Sequence, residues 1–390
     1  MIDRNIKIAI IGGGIGGLVA GIALQKAGFA PIIFERAPVL GEVGAGISMT
    51  PNATKGLVSL GFGAFLEKAG NKPLSQIQRH GETGEHLISF DRRDCRETYG
   101  AAYYQLHRAD LLNVLMASFG LENCFFDREL MALDQSGGKV AMHFTGSDKA
   151  EADIVIGADG LRSVVRDILF DTPQPEFSGH VAWRGLVPAS SLPAEYSKAN
   201  NVNHVAPGRA CVTYPVRGTD LVNIVALTKS DSEWVEESWG ARAKKTDLLA
   251  QFDGWTDYVI TALKAIPNDE IYRWGLFVRE PLQNWVKGRV GLLGDAAHPM
   301  LPYMGQGASS AVEDGTVLGR CFAECSNAQK ALAVYQATRM DRAALLQSES
   351  NAGGDRLMAI DPYILRDIPV KGEDALGIFA YDPATVTLVK

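Results

Sequence analysis

Residues 6–35, IKIAIIGGGIGGLVAGIALQKAGFAPIIFE, decide the fold. The β-branched run Ile6–Ile11 stops at Gly12, Gly13 and Gly14, and Ile15–Ala27 follows with Leu18, Ile22 and Leu24 at helical spacing. Ala30–Phe34 then supplies a second short buried strand. Strand, tight turn, helix and strand make a βαβ unit, which places a parallel sheet at the start of the chain.

Gly12, Gly14 and Gly17 form G-x-G-x-x-G between the strand and the helix, the context of a dinucleotide fingerprint. Gly12 allows the turn, Gly14 lets backbone approach a pyrophosphate, and Gly17 lets helix and strand pack closely. The helix N-terminus attracts the negative charge. Glu35 ends the second strand, where a carboxylate accepts hydrogen bonds from a ribose 2'-hydroxyl and repels a 2'-phosphate. The alternative is a plain glycine-rich turn, and the fingerprint alone does not separate FAD from NAD.

Outward from this unit, Gln76–Phe90 alternates around Thr83-Gly84 and predicts a β-hairpin, and Leu106–Phe119 predicts a helix. Asp153–Gly157 is a further buried strand, followed by a helix over Leu161–Leu169. His180–Val187, Ala210–Pro215 and Asp220–Leu227 are strand-like, and Asp247–Ala265 is helical. Arg289–Leu293 returns to a buried strand, leading through Gly294 and a glycine-rich loop to a helix from about Ser309. The tail beyond Arg339 begins as helix. Residues 1–75, 100–176 and 278–340 are expected to form one domain, with 76–99 and 177–277 forming a second, antiparallel one. Residues 341–390 form a helical C-terminal part.

The chain has 390 residues, enough for two cores, with 46% apolar and 21% charged residues, the usage of an ordinary soluble protein. A net charge of -7 argues against a nucleic-acid partner. Five cysteines without a C-x-x-C pair suit a reducing cytoplasm, and Cys321 and Cys325, one helical turn apart, suit burial better than a redox or metal pair. No metal site is expected. No segment has the apolar length of a membrane span, and the N-terminus lacks a secretory pattern.

Two more motifs follow predicted strands: Asp159-Gly160-x-x-Ser163-x-x-Arg166, and Gly294-Asp295-Ala296-Ala297-His298. With the fingerprint, in this order, they resemble the three motifs of the class A flavin-dependent monooxygenases, the family of para-hydroxybenzoate and salicylate hydroxylases. The resemblance runs from Ile6 to about Arg339. It implies an α/β fold in which a Rossmann-like FAD-binding domain is interleaved with a smaller antiparallel-sheet substrate domain. It also implies NADH or NADPH as a transient co-substrate, and O2 that reacts through a flavin C4a-hydroperoxide to hydroxylate a small aromatic substrate. Asp295 would bind the FAD ribitol, and the loop Pro302–Gly307, with Gly305 and Gly307, would face the pyrimidine edge of the flavin. Arg108 matches an arginine contacting FAD, with Arg36 and Leu130 as weaker matches. Helix capping by Asp295 or Asp159 and a surface ion pair for Arg108 stay open. His298 reads as a packing residue or as an acid/base. Family members are often dimers, and the chain is expected to be a monomer or a homodimer.

Within this family the closest resemblance is to salicylate, 3-hydroxybenzoate and 6-hydroxynicotinate hydroxylases, through Gly44-Ala45-Gly46-Ile47-x-x-x-Pro51-Asn52 and Tyr214-Pro215-Val216. Several relatives carry histidines where this chain has Ser48 and Ala210, and neither residue serves as a base near neutral pH. Tyr214 is the expected catalytic residue, orienting a phenolic oxygen; strand packing is its other reading. Ser48, Tyr214 and Pro302 are the expected substrate contacts, and Trp183 and Arg184 are candidates to line the pocket. An FAD-dependent dehydrogenase, a non-catalytic flavin-binding module and a plain NAD-dependent dehydrogenase are the rival readings. A halogenase W-x-W-x-I-P run is absent, since residues 183–188 read WRGLVP.

Overall fold

The computed structural model describes residues 2–39, 45–230, 241–359, 361–367 and 375–390. Its first sheet is built on β1 (Ile8–Ile11), every residue of which is buried. Parallel neighbours flank it: β2 (Ile32–Phe34) with β7 (Cys124–Phe125) beyond, and β11 (Ile154–Gly157) with β18 (Val290–Leu292) beyond. β17 (Val286–Lys287) closes the edge antiparallel to β18. Strands buried on both faces explain the unbroken Ile and Val runs. Helix α1 (Ile15–Lys26) is buried around most of its circumference, from Ile15 through Leu24, so it is a core helix. Each fully buried Leu, Ile or Val on it contributes about 1.5–3 kcal/mol.

The second large sheet has the order β16 (Tyr272–Val278), β12 (Glu176–Pro188), β15 (Leu221–Lys229), β14 (Arg209–Val216), β13 (Asn200–Ala206), β4 (Ser75–His80), β5 (His86–Asp91). The early hairpin β4–β5 joins strands from far along the chain, and its contact with β13 is parallel whereas the other pairs are antiparallel. One face, with Val181, Trp183, Cys211 and Ile224, packs on helices α7 (Lys245–Gln251) and α8 (Asp257–Ala265). The opposite face, with Ala182, Ala210, Leu227 and Trp274, meets Leu301 and Tyr303. Strand alternation therefore assigns each side chain to helix cover or to the centre of the molecule.

A two-stranded ribbon, β3 (Gly46–Met49) with β6 (Tyr104–His107), lies between the sheets and turns one side to each. It pairs Gly46 with His107 and Ser48 with Gln105. A small antiparallel sheet of β8 (Leu130–Asp134), β9 (Val140–Phe144) and β10 (Lys149–Ala152) packs beside β2, where Phe34 meets Phe144. The remaining helices are α2 (Pro51–Ser59), α3 (Gly63–Ala69), α4 (Cys95–Tyr99), α5 (Arg108–Phe119), α6 (Val164–Phe170), α9 (Gly307–Glu324), α10 (Ala328–Leu357) and α11 (Ile364–Asp367).

Several boundaries differ from the sequence expectation. Leu106 belongs to buried strand β6, and the helix starts at Arg108, because strand passes into helix with no polar spacer. Helix α6 starts at Val164, capped by Ser163, whose hydroxyl accepts from the Arg166 N–H. The stretch Asp247–Ala265 is two helices broken around Gly254, which adopts φ +79°. Helix α10 runs unbroken through residue 340, so no element boundary falls at 341. Residues 375–390 turn back rather than continue as helix. Arg320 donates to the Pro383 and Val386 carbonyls, and Lys55 to those of Phe379, Ala380 and Tyr381.

Candidate active site

Three adjacent parallel strands, β1, β11 and β18, end at the same edge, so the three motifs lie side by side at their C-terminal ends. This is where open α/β sheets hold ligands. Gly12 adopts φ +106°, and a Cβ there would lie 2.4 Å from the Ala158 carbonyl oxygen. At Gly17 it would lie 2.0 Å from the Gly12 oxygen. Gly14 faces open space, so the turn is tight where it touches protein and bare where a ligand can approach.

A cleft of about 210 Å³ runs along this edge, lined among others by Gly12, Gly14, Glu35, Arg36, Leu130 and Asp159. Glu35 accepts from the Gly13 N–H at 2.7 Å and the Ala37 N–H at 2.9 Å. Its carboxylate stiffens the fingerprint turn and keeps lone pairs for a hydroxyl in the cleft. Asp159 accepts from the Ser163 hydroxyl at 2.6 Å and the Val165 N–H at 3.1 Å. It braces the start of α6 and lines the cleft. Burial pushes its pKa up, opposed by those hydrogen bonds. Arg166 donates to the carbonyls of Leu161 and Ala296, tying the second motif to the third.

Asp295 is exposed yet ringed by protein atoms, as befits the floor of a concave site. Burial raises its pKa, opposed by His298 and Arg108. Arg108, at the first turn of α5, is lowered to about 10 by burial and by Arg184, with Asp295 opposing. A Cβ at Gly307 would stand 3.9 Å from Asp295 Oδ1, and one at Gly305 would stand 3.5 Å from Ser48 Cβ. The loop from Pro302 to Gly307 therefore bridges Asp295 and the ribbon. Pro302 is exposed at its mouth. Gln306 is fixed by Asn52, whose Nδ2 donates to it at 3.1 Å, and the Tyr303 hydroxyl lies 2.9 Å from His180 Nδ1 on β12.

Across the loop stands the inward face of the seven-stranded sheet. Arg184 lies on it, beside Tyr214, but Trp183 points the other way into the helix-covered core, because adjacent strand residues face opposite sides. Trp183 therefore does not line the site. Ala210 sits on the inward face in apolar packing. Tyr214 is buried and meets Gly46, where a Cβ would fall 2.5 Å from Tyr214 Cε2 and 2.7 Å from its hydroxyl. Burial and then Tyr103 push its pKa above the ordinary phenol value, with Arg184 opposing. The phenol remains a hydrogen-bond donor at neutral pH. Gly44 of the sequence motif lies outside the described residues.

His298 is a packing residue in geometry: it is buried, 2.6 Å from Asp314 and tilted over Trp285. Asp314 also meets Arg339 at 2.7 Å, and Glu313 meets Arg339 at 2.6 Å, so a buried ion cluster holds α9 against α10. Cys321 and Cys325 are free and buried. The sequence reading missed this cluster and the amides on the inward face: Gln78, Asn201, Asn203 and Asn223, together with Gln105 of the ribbon. The alternation of Gln76 with Gln78 and of Asn201 with Asn203 at period two puts each pair on one face, but the other polar residues of these strands, such as Arg79 and His204, hide it in the sequence.

A parallel sheet whose three motif turns share one edge, joined through a glycine loop to a second sheet, is the arrangement expected of a flavin-dependent hydroxylase. The sequence profile described as FAD binding domain matches residues 5–350. The chain is 34% identical to 6-hydroxynicotinate 3-monooxygenase of Pseudomonas fluorescens, over 100% of this chain and 98% of the relative. It is 38% identical to 3-amino-4-hydroxybenzoate 2-monooxygenase of Streptomyces cremeus, over 88% and 86%. The crystal structure of Klebsiella pneumoniae HpxO complexed with FAD and uric acid is similar, with a TM-score of 0.87, 27% identity and 97% of both chains covered. The chain belongs to the FAD-binding family of class A aromatic monooxygenases, and is an enzyme that uses FAD, NAD(P)H and O2. The bare approach at Gly14 and the open cleft beside Glu35 and Asp159 fit the adenosine and pyrophosphate of FAD.

Proposed function

We propose that this enzyme hydroxylates a small aromatic or heteroaromatic ring bearing a hydroxyl group, held between the Pro302–Gly307 loop and the inward face around Tyr214. The observation that carries this reading is the continuous path Asp295, Gly307, Gly305, Ser48, Gly46 and Tyr214. It joins the C-terminal edge of the parallel sheet to the second sheet. The names of the relatives, which act on hydroxylated benzoates and a hydroxynicotinate, support the substrate class.

FAD, reduced by NAD(P)H, supplies activated oxygen from O2 when bound. Gly12, Gly14, Glu35, Arg36, Leu130 and Asp159 would hold its nucleotide half, with Gly17 letting the helix pack close enough to the turn. Asp295 and Arg108 would hold the chain between nucleotide and ring, and the Gly307 N–H would serve the ring edge, since the Gly305 N–H already donates to the Pro302 carbonyl at 3.1 Å. Tyr214 donates to the substrate's ring oxygen and stabilises phenolate character as the ring is attacked. Arg184 adds a cation to the same face. Ser48 and Pro302 border the ring. Burial of Tyr214 and Asn223 keeps water from that part of the face. With Ser48 and Ala210 in place of histidine, the substrate's own acidity or a water must release its proton.

We further assign the FAD-binding and substrate-binding roles to the two large sheets, and a cytoplasmic setting to the chain. Among the described residues no helix is long and apolar enough to cross a membrane. The test is to purify the protein, record flavin absorbance, and follow NADH oxidation, O2 uptake and product with labelled O2 across hydroxylated rings. The expected result is label in the product. NADH oxidation that yields only hydrogen peroxide with every ring overturns hydroxylation, and anaerobic turnover with a dye acceptor favours a dehydrogenase.

A further inference from the structure

The inward face carries amides where a buried strand surface is ordinarily apolar. Gln105 and Asn223 are fully buried, Asn203 is 5% exposed and Gln78 is 7% exposed. Both amide atoms of Gln105, Asn223 Nδ2, Asn203 Oδ1 and Gln78 Oε1 meet no hydrogen-bond partner within the protein. Native proteins pair nearly all buried polar atoms with protein, water or ligand, so this group on one face has hydrogen-bonding capacity to offer a ligand.

Their positions are ordered. Asn203 and Gln78 are neighbours across the β13–β4 pair. They continue through Val212 and Val225 to Arg184, all in one cross-strand row. Asn223 is the cross-strand neighbour of Tyr214. On the facing ribbon Gln105 pairs with Ser48. Asn223 is oriented by the Gly46 N–H, which donates to its Oδ1 at 2.7 Å. Its NH2 is thus left as a donor. Asn203 and Gln78 offer acceptors, and Gln105 offers both.

A carbocyclic phenol acid brings one hydroxyl hydrogen and otherwise only acceptors, so it leaves buried amide oxygens unpaired. A hydroxylated nitrogen heterocycle in its lactam form brings a ring N–H beside a carbonyl. That donor–acceptor edge is the complement of a carboxamide. We infer that this enzyme selects hydroxylated nitrogen heterocycles over carbocyclic phenols, with Gln105 and Asn223 reading the lactam edge and Asn203 and Gln78 accepting further ring N–H groups. This rests on the proposed placement of the substrate against Tyr214.

The experiment uses the FAD-loaded enzyme and matched ring pairs: 2-hydroxypyridine against phenol, 6-hydroxynicotinate against 4-hydroxybenzoate, and a hydroxypurine against 2-naphthol. Dissociation constants come from the perturbation of flavin absorbance, and kcat/KM from O2 uptake with product analysis. In at least one pair the heterocycle is expected to bind roughly tenfold or more tightly than its carbocycle, the scale of one buried hydrogen bond. Gln105→Leu should reduce that advantage to within about threefold, through a larger loss for the heterocycle than for the carbocycle. Gln105→Met, which keeps the length and loses both hydrogen-bonding atoms, should give the same result, and flavin content reports folding. Equal or tighter carbocycle binding in every pair, no binding of any ring, or an equal loss for both rings in Gln105→Leu overturns the inference. If heterocycles bind selectively but nothing is hydroxylated, the inference stands and the proposed reaction falls.

Discussion

Gly46 and Tyr214 touch across the gap between ribbon and sheet, so closely that a Cβ at Gly46 would lie 2.7 Å from the Tyr214 hydroxyl. The same Cβ would lie 2.7 Å from Asn223 Cγ. Gly46→Ala must therefore displace both side chains. The expected outcome is a drop in kcat/KM of roughly tenfold or more, the order seen when a reacting group is slightly misplaced. Flavin content should be unchanged, because the cofactor cleft lies elsewhere. Steady-state kinetics beside the flavin-to-protein absorbance ratio checks it.

Tyr214→Phe keeps the ring and removes the donor. A fall of about 10–100-fold in product formation is expected, the size of one hydrogen bond made to developing charge. NADH consumption should fall less, so the product formed per NADH drops. Because burial raises the Tyr214 pKa, the wild-type rate should show no alkaline limb from this phenol below its ordinary value near pH 10. A limb at lower pH that vanishes in Tyr214→Phe would refute the donor role.

Gly12→Ala meets two obstacles: φ +106°, and a carbonyl oxygen 2.4 Å from the new Cβ. The backbone strain alone is on the order of 1–3 kcal/mol. A purified variant with little bound FAD and a lower melting temperature is expected. Retention of full flavin absorbance would show that the turn does not hold the nucleotide.

Arg339→Met removes the cation shared by Glu313 and Asp314, both fully buried. Breaking such a cluster costs about 3–5 kcal/mol, because the carboxylates are left uncompensated. Denaturant unfolding should show a loss of this order. A smaller loss is expected for Arg342→Met, whose guanidinium is partly exposed.

His204 is buried against Tyr258, with ring centroids 5.0 Å apart, and burial, aided by Arg79, lowers its pKa to about 4. The unfolded imidazole titrates near 6.5, so below that pH the unfolded state binds the extra proton. Stability from this group is full above pH 6.5 and is lost as pH falls toward 4. The slope is at most about 1.4 kcal/mol per pH unit. His204→Phe should flatten the melting temperature over this window. An unchanged slope would place the titration elsewhere.

Features that depend on neighbours in the chain were legible. Gly12, Gly14 and Gly17 declare a turn because a strand ends before them and a helix begins after them. Asp159 and Asp295 stand out because each follows a buried strand. Element ends were less legible: Leu106 reads as helix by periodicity, yet hydrogen bonds to β3 hold it in strand. Trp183 and Arg184 were indistinguishable as pocket candidates until pairing with β15 and β16 set which face each one takes. Arg339 and His298 carry no local mark of their partners, since Glu313 and Asp314 lie on a different helix.

The sequence by itself determined that a parallel, ligand-binding sheet begins at Ile8 and that three turns serve it, because glycine and β-branched residues act through local backbone sterics. Only the tertiary structure decided which side chains gather between the ribbon and the second sheet. Gly46, Gln105, Asn203, Asn223 and Tyr214 come from segments far apart in the chain. They converge because strand register fixes their side and ribbon packing fixes their distance, and neither is encoded by nearest neighbours.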